Sequence, residues 1–128
     1  MGAPIIIDDC HDLWVSNGMK DLFCEIVVET ARLDGNDISE VYHTAPGIAG
    51  TYGVSGLGID TEEFYPYFGG RSGFRQHLES CTNRLDEVCD RDAHTRDNMT
   101  YVLAWVKYMM DGGTFDENKG PYLEWTPG

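Results

Sequence analysis

The sequence lacks any long hydrophobic run. Its first apolar block, Ile5-Ile6-Ile7, is three residues long, and no stretch approaches the roughly 18 apolar residues that a membrane-spanning helix needs. No basic region precedes that block, so the pattern of a secretory signal is also missing. We therefore expect no membrane association and predict a cytoplasmic location.

Basic residues are scarce. The 128 residues include 9 Lys and Arg against 22 Asp and Glu, for a formal net charge of -13. The imbalance is greatest in residues 1–64, where twelve acidic residues accompany only Lys20 and Arg32. Such a field repels phosphates and attracts cationic partners. Direct nucleic-acid binding is not expected, because that affinity depends on neutralising phosphates.

Closely spaced cysteines are absent as well. With a sizeable core available and no export signal, free thiols are expected at Cys10, Cys24, Cys81 and Cys89. Cys10-His11 with Cys89 and His94 could in principle bind zinc, but zinc ligands usually come in close pairs such as C-x₂-C. Cys10 and His11 are adjacent, and Cys81 and Cys89 are eight residues apart. We predict no metal site and no cofactor.

The length of 128 residues and a hydrophobic content of 41% indicate one packed domain. The predicted class is α+β and helix-dominated, with three main helices, a short strand or small sheet, and a glycine-rich loop. Residues 1–64 form the acidic half, and residues 47–58 form the loop. Residues 72–111 form a helical C-terminal half, followed by an irregular tail at 114–128 that is expected to pack on the body.

Hydrophobic periodicity and turn residues place the individual elements. A buried strand is predicted at 4–7 and a second at 40–44. Helices are predicted at 17–33, capped by Asn17, then at 72–90, and at 95–111, closed by Gly112-Gly113. Asp60 can cap a helical turn that Pro66 should limit to about one turn.

No motif identifies a reaction, and no catalytic residue is predicted. The segment Ile5-Ile6-Ile7-Asp8-Asp9-Cys10-His11-Asp12 carries carboxylates after a strand, as Mg²⁺ sites do. Phosphoryl chemistry also needs a cation, and Lys20 is the only nearby candidate. An Asp pair after an apolar run is common, so a solvated loop following an edge strand is the simpler interpretation. A small metal-dependent enzyme using Asp8, Asp9 and Asp12 is the alternative function.

The glycine-rich loop has the pattern G-x-x-G-x-x-G. It lacks the Gly-Lys-Ser/Thr ending of a phosphate-binding P-loop and the G-x-G-x-x-G of dinucleotide sites. A turning surface loop is the preferred interpretation.

Tyr101, Trp105 and Tyr108 form an aromatic stripe on the last predicted helix. Core packing is the preferred interpretation, because aromatic residues dominate cores as well as interfaces. The alternative is an exposed interface, which would make the protein a homodimeric ligand-binding module.

The strongest functional pattern is a row of carboxylates on the first helix. Asp21, Glu25 and Glu29 recur at i, i+4 and i+8, where like charges destabilise a helix, and they are expected to project together into solvent. The predicted partner-binding surface continues beyond the helix and comprises Asp21, Glu25, Glu29, Asp34, Asp37 and Glu40. The leading hypothesis is an acidic inhibitor or immunity-type protein that binds a basic protein partner. It would occupy a nuclease or nucleic-acid-binding site by imitating nucleic acid.

Overall fold

A computed structural model describes residues 2–114 and confirms the helix-dominated α+β class. The strands are β1 (Gly2–Asp8), β2 (His11–Ser16) and β3 (Ile59–Asp60). The helices are α1 (Asn17–Leu33), α2 (Val41–Thr44), α3 (Pro46–Ala49), a 3₁₀ helix (Thr61–Tyr67), α4 (Arg71–Asn83), α5 (Leu85–Val88) and α6 (Ala93–Met110). Apart from Thr114, the predicted tail lies outside the described residues. No helix within residues 2–114 is both long and apolar enough to cross a bilayer.

The sheet has the order β2-β1-β3, so β1 is the central strand and the expectation of an edge strand is wrong. A turn at Asp9 and Cys10 reverses the chain into β2, which runs antiparallel to β1, while β3 runs parallel to it. Neither β2 nor β3 was predicted. β2 has only two inward apolar residues, Leu13 and Val15, and β3 is two residues long. Both depend on pairing with β1, which local sequence does not encode.

One core lies between the inner face of the sheet and the three long helices. Side chains alternate across β1 and β2, which gives the inner face Ala3, Ile5, Ile7, Leu13 and Val15. α1 and α6 both contact β1 and β2, and α4 packs against α1 and α6. The helices bury, among others, Phe23, Ile26, Val27, Phe74, Leu78, Val102, Leu103 and Val106. Each large aliphatic or aromatic side chain buried in this way contributes about 1.5–3 kcal/mol.

Capping side chains set the helix starts. Ser16, not Asn17, caps α1: its hydroxyl accepts a hydrogen bond from the Met19 amide at 3.1 Å. Asp92 caps α6 by accepting from the Thr95 amide at 2.8 Å, so α6 begins at Ala93, two residues earlier than predicted. Both caps satisfy amides that have no partner inside the helix.

Two other predicted elements are wrong in detail. The helix predicted at 72–90 is interrupted at Arg84, after a Thr82-Asn83 pair of low helix propensity, and continues as the short α5. The strand predicted at 40–44 is the helical turn α2. There Asp37 accepts from the Ser39 amide at 3.0 Å and so favours a turn, while Ile38 and Val41 are buried at helical spacing. The 3₁₀ helix is also longer than the single turn expected before Pro66.

Candidate functional site

Asp21, Glu25 and Glu29, hereafter the α1 carboxylates, lie on one face of α1 but do not project freely into solvent. All three are half-buried. An Asp21 carboxylate oxygen lies 2.9 Å from the Lys20 ammonium and accepts from the Gly53 amide at 3.0 Å. Glu29 accepts from the guanidinium of Arg32, which holds the pKa of Glu29 below its usual range. Basic side chains of the same chain therefore offset part of this charge.

Glu25 is held from two sides. Its Oε2 accepts a hydrogen bond from the Tyr52 hydroxyl at 2.9 Å, and its Oε1 lies 3.6 Å from a terminal nitrogen of Arg91. Tyr52 comes from the glycine-rich loop, whereas Arg91 precedes α6. Glu25 is thus the point at which two separate segments meet the middle of α1.

The other three predicted partner-binding residues do not continue this row uniformly. Asp34 accepts from the Ser80 hydroxyl at 2.8 Å and pairs with Arg84 at 3.3 Å, so it belongs to the contact with α4. Asp37 accepts from the Ser39 amide, a bond that lowers the pKa of Asp37. Glu40 is exposed immediately before α2. As a binding surface, the set of six stays a prediction.

A groove runs beside α1. It consists of two cavities, of about 520 and 490 Å³, that share the lining residues Leu22, Glu25 and Arg91. Ile26, Tyr42 and Val88 add apolar surface to the first cavity. Carboxylates line both cavities: Glu25, Glu29 and Asp90 line the first. Asp21, Glu25 and Asp92 line the second. The groove is therefore lined by apolar and acidic side chains, with Arg91 as its basic one.

Lys20, the cation considered for phosphate chemistry, is fully buried at 0% exposure. Its ammonium donates to the carbonyl oxygens of Thr51 at 2.9 Å and Val54 at 3.1 Å, and it also contacts Asp21. An ammonium has three donors, so these contacts use its full capacity. Lys20 therefore anchors the glycine-rich loop to α1. The sequence pattern missed this role, because a Lys on a helix is usually solvated.

The glycine-rich loop directs two of its amides toward α1. The Gly53 amide donates to Asp21, and the Gly56 amide donates to the Asn17 side-chain oxygen at 2.8 Å. A phosphate cradle presents such amides to a ligand. In this loop they are already bound to side chains, which favours the predicted surface loop over a phosphate site.

Asp8, Asp9 and Asp12 serve different purposes in the β1–β2 hairpin. Asp8 accepts from the Cys10 amide at 2.9 Å and contacts Nδ1 of His11 at 2.8 Å, and these bonds hold the pKa of Asp8 low. Asp9 is exposed in the turn, and Asp12 is exposed on β2. No group of three or more His, Cys, Asp or Glu side chains within residues 2–114 is arranged to hold a metal ion. No observation on these carboxylates favours the enzyme alternative.

The aromatic stripe on α6 divides between core and surface. Trp105 is 2% exposed, so the core interpretation is correct for it and the interface alternative is wrong. Tyr108 is exposed and meets the Trp105 ring edge-on, with ring centroids 5.5 Å apart. Tyr101 is half-buried. Only Tyr101 and Tyr108 remain predicted interface residues.

All four cysteines are free thiols, as expected. Burial raises the pKa of Cys24 and of Cys81 to about 12, which suppresses their reactive thiolate forms. Cys10, in the hairpin turn, is the exposed one. The buried thiols act as small apolar side chains.

The outer face of the sheet is a surface that the sequence did not predict. Strand register places five side chains on it: Trp14 beside Pro4, and Asp12 and Asp60 on either side of Ile6. We call these five residues the outer sheet face. Trp14 is 59% exposed, the highest exposure among the large apolar side chains of residues 2–114. Because α1 and α6 pack against the inner face, neither of these helices covers the outer one, where Trp14 and Asp12 are exposed and Pro4, Ile6 and Asp60 are half-buried.

The outer sheet face also carries negative charge: Asp12 is exposed, whereas Asp60 is half-buried and its carboxylate accepts from the Glu62 amide at 3.0 Å. Asp12 and Asp60 both pair with Ile6, one on each side of β1, so their backbones lie about 10 Å apart, which is two strand spacings. Within the described chain, no Lys or Arg forms an ion pair with either of them, nor with the neighbouring Asp9 and Glu62. The α1 carboxylates, in contrast, each have a basic neighbour. Sequence reasoning missed the outer sheet face because β3 brings Asp60 to β1 from more than 50 positions away.

No known protein family, curated protein or solved structure matches this chain.

Proposed function

We propose that this protein is an acidic protein-binding inhibitor that occupies a basic, nucleic-acid-binding site on a partner protein through its outer sheet face. The observation that carries the proposal is the exposed Trp14 beside carboxylates that form no ion pair with a Lys or Arg of residues 2–114. Tryptophan is among the residues most enriched in the energetic centres of interfaces. Leaving its ring in water forgoes the burial free energy that a partner could recover.

Charge supports the same partner. Asp12 and Asp60 flank the apolar centre, so a partner surface with an apolar pocket edged by Lys or Arg is complementary to it. The formal charge of -13 attracts such a partner at long range and repels nucleic acid. The α1 carboxylates contribute to this field, although Lys20, Arg32 and Arg91 partly offset them.

Mapping the surface with variants tests the proposal. The partner would first be captured from the native host with the whole chain and then purified for kinetic measurements. We expect Trp14→Ala to weaken binding at least about tenfold, mainly through faster dissociation, as loss of a central aromatic does. The double variant Asp12→Asn/Asp60→Asn should mainly slow association and reduce its salt dependence.

Matched controls separate this surface from the others. Tyr108 is the other exposed aromatic side chain of residues 2–114 and was predicted at an interface, and Tyr108→Ala should bind like the wild type. Glu87→Gln/Asp97→Asn removes two exposed charges from the helical side and should alter association less. The proposal fails if Trp14→Ala and Asp12→Asn/Asp60→Asn both bind the partner as tightly and as fast as the wild type.

A further inference from the structure

The groove beside α1 is lined by one guanidinium, that of Arg91. Arg91 lines both cavities of the groove and faces Glu25 across 3.6 Å. It comes from the short connection between α5 and α6, where Cys89 is buried and Asp92 caps α6. The backbone on both sides of Arg91 is therefore anchored, while its side chain reaches over the groove.

We propose that this groove binds an arginine side chain of a protein partner, and that the incoming arginine displaces Arg91 from Glu25. The inference concerns a different surface from the outer sheet face and does not depend on the proposed function. The groove is selective for arginine, and Glu25 is the residue that binds its guanidinium.

Glu25 is prepared to receive a cation. The Tyr52 hydroxyl donates to Oε2, which fixes the carboxylate and leaves Oε1 directed at Arg91. Leu22, Ile26 and Val88 provide apolar walls, so a bound side chain can bury its methylene groups while its charged end meets the carboxylate. A volume of about 520 Å³ lies within the range of pockets that take small ligands.

The groove favours arginine over lysine. Tyr42 lines the first cavity, and a planar guanidinium can stack on an aromatic ring while binding a carboxylate with two parallel hydrogen bonds. Asp90 offers a further acceptor in the same cavity. Lysine would present a strongly hydrated point charge that has neither advantage.

Arg91 is held weakly enough to be displaced. Its side chain is 52% exposed, and the contact with Glu25 exceeds hydrogen-bond length. Exposed ion pairs of this kind contribute little to stability, because solvent competes for both partners. An arginine supplied by a partner could therefore replace Arg91 without unfolding the segment that carries it.

Titration of the whole protein with two blocked hexapeptides tests the inference. One peptide contains three arginines spaced by glycine, and the other contains three lysines in the same positions. NMR shifts of the Glu25, Tyr42 and Val88 amides report on the groove. We expect saturable shifts with the arginine peptide and weaker binding of the lysine peptide. In Arg91→Ala the arginine peptide should bind at least about threefold more tightly, because the competing side chain is gone.

Charge-matched controls decide the outcome. Arg84→Ala removes the same charge from the contact with Asp34, outside the groove, and should tighten binding less than Arg91→Ala does. Adding Glu25→Gln to Arg91→Ala should abolish the saturable shifts while keeping an acceptor for Tyr52. Trp14→Ala should retain peptide binding, which separates this test from that of the outer sheet face. Equal tightening by Arg84→Ala and Arg91→Ala, equal binding of the two peptides, or no shift at these amides would overturn the inference.

Discussion

Lys20 is the residue on which the glycine-rich loop depends. It is the one lysine or arginine of residues 2–114 that is fully buried, and its ammonium binds two loop carbonyls and the Asp21 carboxylate. A buried charge is tolerated only when it is paired and hydrogen-bonded, and Lys20 meets both conditions. Its position in the sequence, next to an acidic residue in an amphipathic helix, gives no sign of this burial.

We predict that Lys20→Met will destabilise the protein by about 2–4 kcal/mol, because it leaves two carbonyls without a donor and a half-buried carboxylate without its partner. Lys107→Met is the matched control. Lys107 is half-buried, pairs with the exposed Glu79 at 3.4 Å and donates to the Thr82 hydroxyl at 3.0 Å. Water can replace the ammonium at the exposed carboxylate, so the loss of Lys107 should cost less, about 1 kcal/mol. Urea unfolding of the three proteins measures both values. Equal destabilisation by the two substitutions would show that Lys20 does not have the anchoring role described.

His77 gives the protein a pH-dependent stability. It is buried between α4 and α1, contacts the Val27 carbonyl oxygen through Nε2 at 2.9 Å, and stacks on Phe68. Burial lowers the pKa of His77 below its usual 6.5. The unfolded chain therefore takes up a proton near pH 6.5 that the folded protein does not, and the free energy of unfolding falls as pH drops below that value.

His77→Gln is the variant that isolates this effect, since its amide can still donate to the Val27 carbonyl. Between pH 7.5 and 5.5 we expect the free energy of unfolding to fall more in the wild type than in His77→Gln. Urea unfolding at four pH values in this range provides the comparison. The carboxylates titrate mostly below this range and are common to both proteins, so parallel pH profiles would exclude His77 as the source.

At the scale of elements, the parts predicted best are those whose apolar spacing is long and regular. The helix predicted at 17–33 matches α1, and the one at 95–111 matches α6 to within two residues, because each carries several turns of buried residues. The misses are short elements. β2 and β3 need a partner strand, α2 has four residues, and the break at Arg84 interrupts an apolar face that appears continuous in sequence. The outer sheet face was missed for the same reason, since it exists only after these strands pair.

Gly73 and Gly18 both lie in the first turn of a helix, and substitution by Ala is expected to change the stability in opposite directions at the two positions. A Cβ on Gly73 of α4 would lie 1.7 Å from the Phe68 carbonyl oxygen, whereas a Cβ on Gly18 of α1 would meet nothing within 4 Å. We expect Gly73→Ala to destabilise by more than about 2 kcal/mol, because the 3₁₀ helix and α4 must separate. Gly18→Ala should stabilise by up to about 1 kcal/mol through helix propensity. Thermal unfolding shows the sign, and destabilisation by both substitutions would contradict the close packing at Gly73.

At the scale of the whole molecule, net charge and its distribution have different consequences. The total of -13 was evident from the sequence and determines which partners are attracted. Which carboxylates are free to meet a partner depends on where Lys20, Arg32, Arg84 and Arg91 lie in the fold. These four bases pair with Asp21, Glu29, Asp34 and Glu25, and so reduce the charge of the surface predicted from sequence. Within residues 2–114 no Lys or Arg pairs with Asp12 or Asp60 of the outer sheet face, which also has an exposed tryptophan.

Competition with nucleic acid for the purified partner tests the central claim most directly. The partner would be loaded with a fluorescent oligonucleotide, and the protein would then be added while anisotropy is recorded. We expect the wild type to release the oligonucleotide in proportion to partner occupancy, and Trp14→Ala to require at least about ten times the concentration. A stable complex containing partner, oligonucleotide and this protein together would contradict the proposal that the outer sheet face occupies the nucleic-acid-binding site.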